Sequence, residues 1–237
     1  MQEQKEKTGP LLADLSDQEA AALCRELREE LIRDVSRTGG HLASNLGAVE
    51  LTVAIHRVFD TSRDRLVFDV GHQCYIHKML TGRREEMAGL RQYGGIAGFP
   101  KPGESVHDAF IAGHASNSVA VAVGMVQARA ALGQDYQVAA LIGDGALTGG
   151  LAYEGLSNGG QCGQQLLVIL NDNGMSIDRN VGAVARHLAQ QRLKPQYLTF
   201  KKYYRKVMNA TWFGRKIYRV THRLKKAVKE SLLPSSL

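Results

Sequence analysis

Residues 139–177 read AALIGDGALTGGLAYEGLSNGGQCGQQLLVILNDNGMSI. A short apolar run, VAALI, stops at Gly143-Asp144-Gly145. A stretch compatible with a helix follows, and a second apolar run, LLVIL, stops at Asn171-Asp172-Asn173. Two short apolar runs bounded by turn residues, with a helical length between them, predict a βαβ unit. Its strands are parallel, so their carboxyl ends emerge on one edge of the sheet, where open α/β sheets bind ligands. Asp144 and Asn173 thereby become neighbours in space despite their separation in the chain. A carboxylate and an amide oxygen are hard donors suited to Mg²⁺, which protein carboxylates usually share with the phosphates of a ligand. The glycines flanking Asp144 let the backbone approach a diphosphate, and the following helix can offer N–H groups to it.

Composition bounds what surrounds this unit. The chain has 237 residues, 44% hydrophobic and 22% charged, which is ordinary for a globular protein and argues against disordered or fibrous classes. Its first ten residues, MQEQKEKTGP, lack the apolar core of a signal peptide, and no apolar run is long enough to span a bilayer, which predicts a cytoplasmic protein without a membrane partner. Cys24, Cys74 and Cys162 are far apart and in no CxxC spacing, so neither a disulfide framework nor a zinc site is expected. The net charge of +7 comes from one end: residues 191–237 hold 13 Lys and Arg against the single acid Glu230, and residues 1–190 are mildly acidic. The expected division is a ligand-binding domain over 1–190 and a basic, amphipathic helical tail over 191–237. No nucleic-acid partner is expected, because patterning of this kind is a weak signal for one.

From the start of the chain, Ser16 with Glu19 three positions on forms a capping-box signature ahead of a helix with Leu23, Leu27, Leu31 and Val35 on one face. A glycine-rich turn then delivers His41 and Ser44-Asn45 before a helix carrying Val49, Leu51, Thr52, Ile55 and Val58. The run LVFDV repeats the strand pattern and ends in Gly71-His72. Residues 83–112, including GGIAGFPKPGES, read as a long irregular loop, and such loops in compact domains tend to be functional or mobile. Gly113-His114-Ala115 precedes a helix of small apolar residues that Ser116 or Asn117 can cap. Three strand or loop ends therefore converge on one edge of a mostly parallel sheet with helices on both faces.

GDG followed at this distance by the asparagine pair resembles the diphosphate-binding motif of thiamine-diphosphate enzymes. The wider series HLASNLGAVELTVAIHRVFD, DVGHQCYIHKMLTGR, GGIAGFPKPGES, AGHASNS, GDGALTGGLAYEGLSN and LNDNGMSIDRNVGA resembles the 1-deoxy-D-xylulose-5-phosphate synthases almost continuously over residues 15–188. The resemblance implies a transketolase-like fold, thiamine diphosphate and Mg²⁺ as cofactors, and condensation of pyruvate with D-glyceraldehyde 3-phosphate with loss of carbon dioxide. It further implies that Asp144, the Asn173 side chain and the Met175 carbonyl hold the metal, and that Gly145 and Ala146 lie against the diphosphate. His72 and the triplet Gly113, His114 and Ala115 match other cofactor contacts, and His41 matches a histidine assigned to proton handling. AGHASNS departs from the family's usual GHSSTS, so hydroxyl contacts near Ala115 and Asn117 are not carried over, while the His114 ring is.

Family members carry three domains, and this sequence stops before the end of the first. The resemblance therefore implies an incomplete site, inactive alone, whose pyrimidine-binding and C-terminal domains sit on a second chain or are absent, in a homo-oligomeric assembly. Two alternatives stay open at this point: the N-terminal subunit of a split transketolase, and a non-catalytic cofactor-binding remnant.

Overall fold

A computed structural model describes residues 12–172, which fall within one compact unit, Met1–Gly182. Asn173, Met175 and the basic tail at 191–237 lie outside the described residues. The chain opens with a single 3₁₀ turn at Leu12–Asp14 and the long helix α1, Asp17–Thr38. The capping box is present: Ser16 Oγ accepts the Glu19 N–H at 3.3 Å and Glu19 Oε2 accepts the Ser16 N–H at 2.8 Å, so two otherwise orphaned donors are satisfied. The buried stripe is Ala20, Cys24, Leu27, Leu31 and Val35, with Leu23 at its margin. Each fully buried leucine here contributes on the order of 1.5–3 kcal/mol.

Helix α2, Leu42–Leu46, takes in Ser44 and Asn45, which the sequence suggests as loop residues; helix α3, Val49–Val58, follows at once. Its inner face is Val49, Thr52, Val53 and Ile55, whereas Val58, in the last turn, is 77% exposed. Strand β1, Arg65–Phe68, leads to the short helix α4, Tyr75–Lys78, and to a wide turn at Met79–Arg83 where Thr81 and Gly82 leave helical geometry and redirect the chain. A 3₁₀ turn at Glu85–Gly89 and the long loop precede α5, Ser118–Ala131. Then come β2, Val138–Gly143; α6, Gly150–Gln161; and β3, Leu167–Asn171.

The three strands are parallel in the order β1-β2-β3, with Phe68 opposite Leu141 and Gly143 opposite Asn171. Alternation along them builds a core on each face. Leu66, Phe68, Ala139, Leu141 and Ile169 pack with α1, α3 and α4, while Val67, Val138, Ala140, Ile142 and Val168 pack with α5 and α6. The small residues of α5 allow a close crossing, as expected: a Cβ added at Gly155 of α6 would lie 2.7 Å from the Ala120 backbone nitrogen. The expected α/β layering is therefore present. Cys24 and Cys74 are buried and Cys162 half-buried, all three unpaired. Among the described residues, no helix is long and apolar enough to cross a membrane.

Candidate functional site

The carboxyl ends of all three strands open on one edge, and those of the singled-out residues that lie among the described residues gather along it in two groups. In the first, His41 and His72 meet edge to face, ring centroids 5.3 Å apart, with the Phe99 ring 6.0 Å from His41. Tyr75 locks this pair from below. Its hydroxyl accepts the His41 backbone N–H at 3.3 Å and lies 3.2 Å from His41 Nδ1. Through this contact Tyr75 fixes the orientation of the His41 ring and leaves Nε2 as the nitrogen not engaged by Tyr75. Burial, and secondarily Arg91, lowers the His41 pKa; burial, then His41, lowers that of His72 against an opposing pull from Asp69. Both rings are therefore neutral at pH 7, and His72 Nδ1 is buried with no hydrogen-bond partner.

Asn45 explains why the two histidines meet. Its amide is fully buried; Nδ2 donates to the carbonyls of His41 and His72, both at 2.8 Å, and Oδ1 accepts the Tyr75 N–H at 2.8 Å. One side chain thus ties the turn at His41 to the segment 72–75, which is distant in sequence. Gly71 is required for a different reason: φ is 83°, and a Cβ there would lie 2.5 Å from Pro100 Cδ and 2.6 Å from Ala112 Cβ.

The second group centres on the loops after β2 and before α5. Neither Ser116 nor Asn117 caps α5 through its side chain, contrary to the sequence expectation. Asp69, at the end of β1, does so from outside the helix: its oxygens accept the N–H groups of Ser116 at 2.7 Å and Ser118 at 3.0 Å. A carboxylate beside a helix N-terminus is favoured by orphan donors and helix dipole alike, and this one also ties strand end to helix start. The His114 carbonyl accepts the Val70 N–H at 3.3 Å, which places Gly113, His114 and Ala115, all exposed, next to the β1 turn. Ser116 Oγ in turn donates to the Ala146 carbonyl at 2.7 Å, so this loop is fastened to the one holding Asp144, Gly145 and Ala146.

Asp144 is 7% exposed at the carboxyl end of β2, and its N–H donates to the Asn171 carbonyl at 3.3 Å. The β2–β3 edge is thereby brought together as the βαβ reading requires. A 3₁₀ turn, Ala146–Thr148, intervenes before α6, so the helix starts at Gly150 rather than directly after the GDG triplet. Among the described residues, no group of three or more His, Cys, Asp or Glu side chains converges as a metal site. A magnesium site drawing on one carboxylate, one amide, a carbonyl and diphosphate oxygens needs none. Backbone at Gly113 and Gly143 faces open space, with nothing within 4 Å of an added Cβ, and His72 Nδ1 offers an unused polar atom. These features fit a diphosphate-bearing cofactor with an aromatic head.

Asp69, Tyr75 and Phe99 are the residues that sequence reasoning misses, and Asn45, placed by it beside His41, is given no role there. The available signal was the Asp inside LVFDV: a charged residue closing an apolar strand next to a glycine.

Comparison with known proteins agrees with the geometry. The family profile for 1-deoxy-D-xylulose-5-phosphate synthase matches residues 4–237. The chain is 49% identical over 224 residues to the synthase of Syntrophomonas wolfei, covering 94% of this chain and 35% of that protein. It is 48% identical over 215 residues to the synthase of Pelotomaculum thermopropionicum, covering 91% of this chain and 34% of that protein. The chain thus spans about a third of the length of the curated relatives it matches. Among solved structures, a transketolase from Leishmania mexicana superposes with a TM-score of 0.61 at 26% identity, over 69% of this chain and 28% of that one. With its strand-edge motifs in place and the profile matched over nearly its whole length, this chain belongs to the 1-deoxy-D-xylulose-5-phosphate synthase family, whose N-terminal part it represents.

Proposed function

We propose that this chain is the diphosphate-holding part of a transketolase-type transferase that joins pyruvate to D-glyceraldehyde 3-phosphate, with loss of carbon dioxide, to give 1-deoxy-D-xylulose 5-phosphate. The observation that carries the reading is the juxtaposition, on one sheet edge, of a buried Asp144 preceded by open backbone at Gly143 with a pair of neutral, partly buried histidines. Thiamine diphosphate, when bound, supplies the carbon on which the two-carbon unit is carried. Asp144, with the Asn173 side chain and Met175 carbonyl, holds Mg²⁺, and the backbone at Gly145 and Ala146 faces the diphosphate. His72 and Gly113-His114-Ala115 bound the rest of the cofactor. His41 exchanges a proton with a substrate oxygen, a role suited to an imidazole near neutrality. Residues 1–190 form the cofactor domain in this reading and 191–237 a separate basic segment, within a cytoplasmic homo-oligomer.

A second reading, a transketolase subunit using a ketose phosphate as donor, draws on the solved transketolase neighbour, but the synthases are much closer in sequence. The two differ in what is consumed. The chain, combined with the remaining length of a related synthase and given thiamine diphosphate, Mg²⁺, pyruvate and D-glyceraldehyde 3-phosphate, is expected to release carbon dioxide only when the aldehyde acceptor and an intact Asp144 are both present. Turnover of a ketose phosphate with no release from pyruvate would overturn the synthase reading.

A further inference from the structure

Beside the His41 wall lies a buried polar cluster with no part in the chemistry above. Asp108 is 3% exposed and its two oxygens accept hydrogen bonds from Arg83 Nη1 at 2.7 Å, Arg83 Nη2 at 2.8 Å, His77 Nε2 at 3.0 Å and the Lys101 N–H at 2.8 Å. This occupies the roughly four lone-pair sites that a carboxylate offers. Glu104 accepts from Lys78 Nζ at 2.6 Å and from the Ala97 N–H at 2.8 Å. Burial alone would raise the Asp108 pKa, but the bonds from Arg83, His77 and Lys101 outweigh it and hold the carboxyl well below the usual carboxylate range. His77 stays neutral because its burial outweighs Asp108, so its Nε2 donates to Asp108 and its Nδ1 accepts. The donor to Nδ1 is His56 Nε2 at 2.9 Å, and burial pushes the His56 pKa down to about 3.

The two backbone donors in this cluster, Ala97 and Lys101, bracket Gly98-Phe99-Pro100. Phe99 is the ring facing His41, and Pro100 fills the space where a side chain at Gly71 would stand. Buried ion pairs commonly add little net stability over apolar packing of the same volume, yet losing one partner is expensive. A cluster of this kind therefore fixes geometry more than it stabilises. We propose that Asp108 and Glu104 are positioning residues: by holding the Lys101 and Ala97 N–H groups they press the Phe99-Pro100 step against His41 and Gly71, and so set where the His41 ring sits. The consequence for proton transfer rests on the role given to His41 above; the linkage itself is tested without turnover.

The test compares the 237-residue chain with Asp108→Asn, Glu104→Gln and Phe99→Ala. The readouts are hydrogen exchange at the Ala97 and Lys101 amides and NMR titration of the His41 ring, which Arg91, His72 and Tyr75 face. Asp108→Asn is expected to lose about tenfold or more protection at Lys101, since local opening sets that rate, and to move the His41 midpoint upward as the ring loses cover. Glu104→Gln does the same at Ala97. Phe99→Ala reproduces the His41 shift while Lys101 stays protected, which separates the wall from its anchor. A folded Asp108→Asn whose His41 titrates as in the wild type overturns the proposal. So does an unchanged His41 in Glu104→Gln, which decides the matter if Asp108→Asn does not fold. Failure of the wild-type chain to bind thiamine diphosphate would overturn the site reading and leave this linkage standing.

Discussion

Gly71, beneath the His41 wall, and Gly113, on the loop that Ser116 fastens to Ala146, both have positive φ, at 83° and 146°. A side chain at the first would collide with Pro100 and Ala112, at 2.5 and 2.6 Å; at the second it would meet nothing within 4 Å. The same residue type is thus used for opposite ends. Around His41 and His72, glycine lets two parts of the protein touch, and Asn45, Tyr75 and the Asp108 cluster leave the segments one arrangement. Next to Asp144, Gly143 leaves open space, and the tight glycine contact there falls at Gly149, where a Cβ would meet Ser116 Oγ at 2.1 Å. One region is a wall completed by the protein itself. In the function proposed above, the other is a cradle whose complement is the ligand.

If that contrast is right, glycine substitutions must separate stability from binding. Gly71→Ala is expected to cost about 3 to 5 kcal/mol, from the left-handed backbone and the overpacked contact together, as read by urea denaturation. Gly143→Ala, which has open space, is expected to change stability by less than about 1 kcal/mol while weakening binding of thiamine diphosphate. Equal destabilisation by both would erase the distinction between wall and cradle.

Asn45→Ala sharpens the wall side. It removes three hydrogen bonds of 2.8 Å from a fully buried amide and strands the Tyr75 N–H and the His72 carbonyl, while the His41 carbonyl keeps the backbone N–H of residue 45, for an expected loss of about 2 to 4 kcal/mol. The His41 and His72 ring resonances should shift together in that variant, and an NMR spectrum with both unmoved would detach Asn45 from the site.

A smaller effect should appear with pH. The folded pKa of His56, about 3, lies below its ordinary 6.5, so the unfolded chain binds the proton first as pH falls. Stability from this group is complete above about 6.5 and declines toward pH 3, by up to about 1.4 kcal/mol per pH unit for each such histidine. The shifts of His41, His72 and His77 have the same sign. Melting temperatures at pH 5 are therefore expected below those at pH 7, with a shallower slope in His56→Gln; an identical slope would place the pH sensitivity elsewhere.

The strand edge that carries Asp144 is legible in the sequence and the wall only in part, for a physical reason. Strands β1, β2 and β3 announce themselves as apolar runs ended by Gly, Asp and Asn, and the α1 capping box is a local pattern, so neither needs knowledge of a distant partner. Parallel pairing then obliges the strand ends to share an edge, which is how Asp144 could be assigned to it. Asn45 and Asp69 act on residues far along the chain, His72 and Tyr75 in one case and Ser116 and Ser118 in the other, and no local periodicity encodes such pairs. For that reason the sequence points to Ser116 or Asn117 as the cap of α5, where the structure uses Asp69. The stretch GGIAGFPKPGES reads in the sequence as an irregular loop of the functional or mobile kind, without sign of what orders it, because the carboxylates of Glu104 and Asp108 are satisfied by Lys78 and Arg83 from before the loop. Val58 fits the α3 pattern by type, yet it sits in the last turn, past the packed face.

The central claim is that Asp144 anchors a metal-dependent diphosphate site in this chain. Isothermal titration of thiamine diphosphate into the purified protein, with and without Mg²⁺, tests it most directly, alongside Asp144→Ala with an unchanged circular dichroism spectrum. The account predicts saturable binding that requires Mg²⁺ and is largely lost in the variant, because one hard cation must be shared by the carboxylate and the diphosphate oxygens. Equal affinity with and without Mg²⁺, or an Asp144→Ala chain that binds as the wild type does, would contradict it.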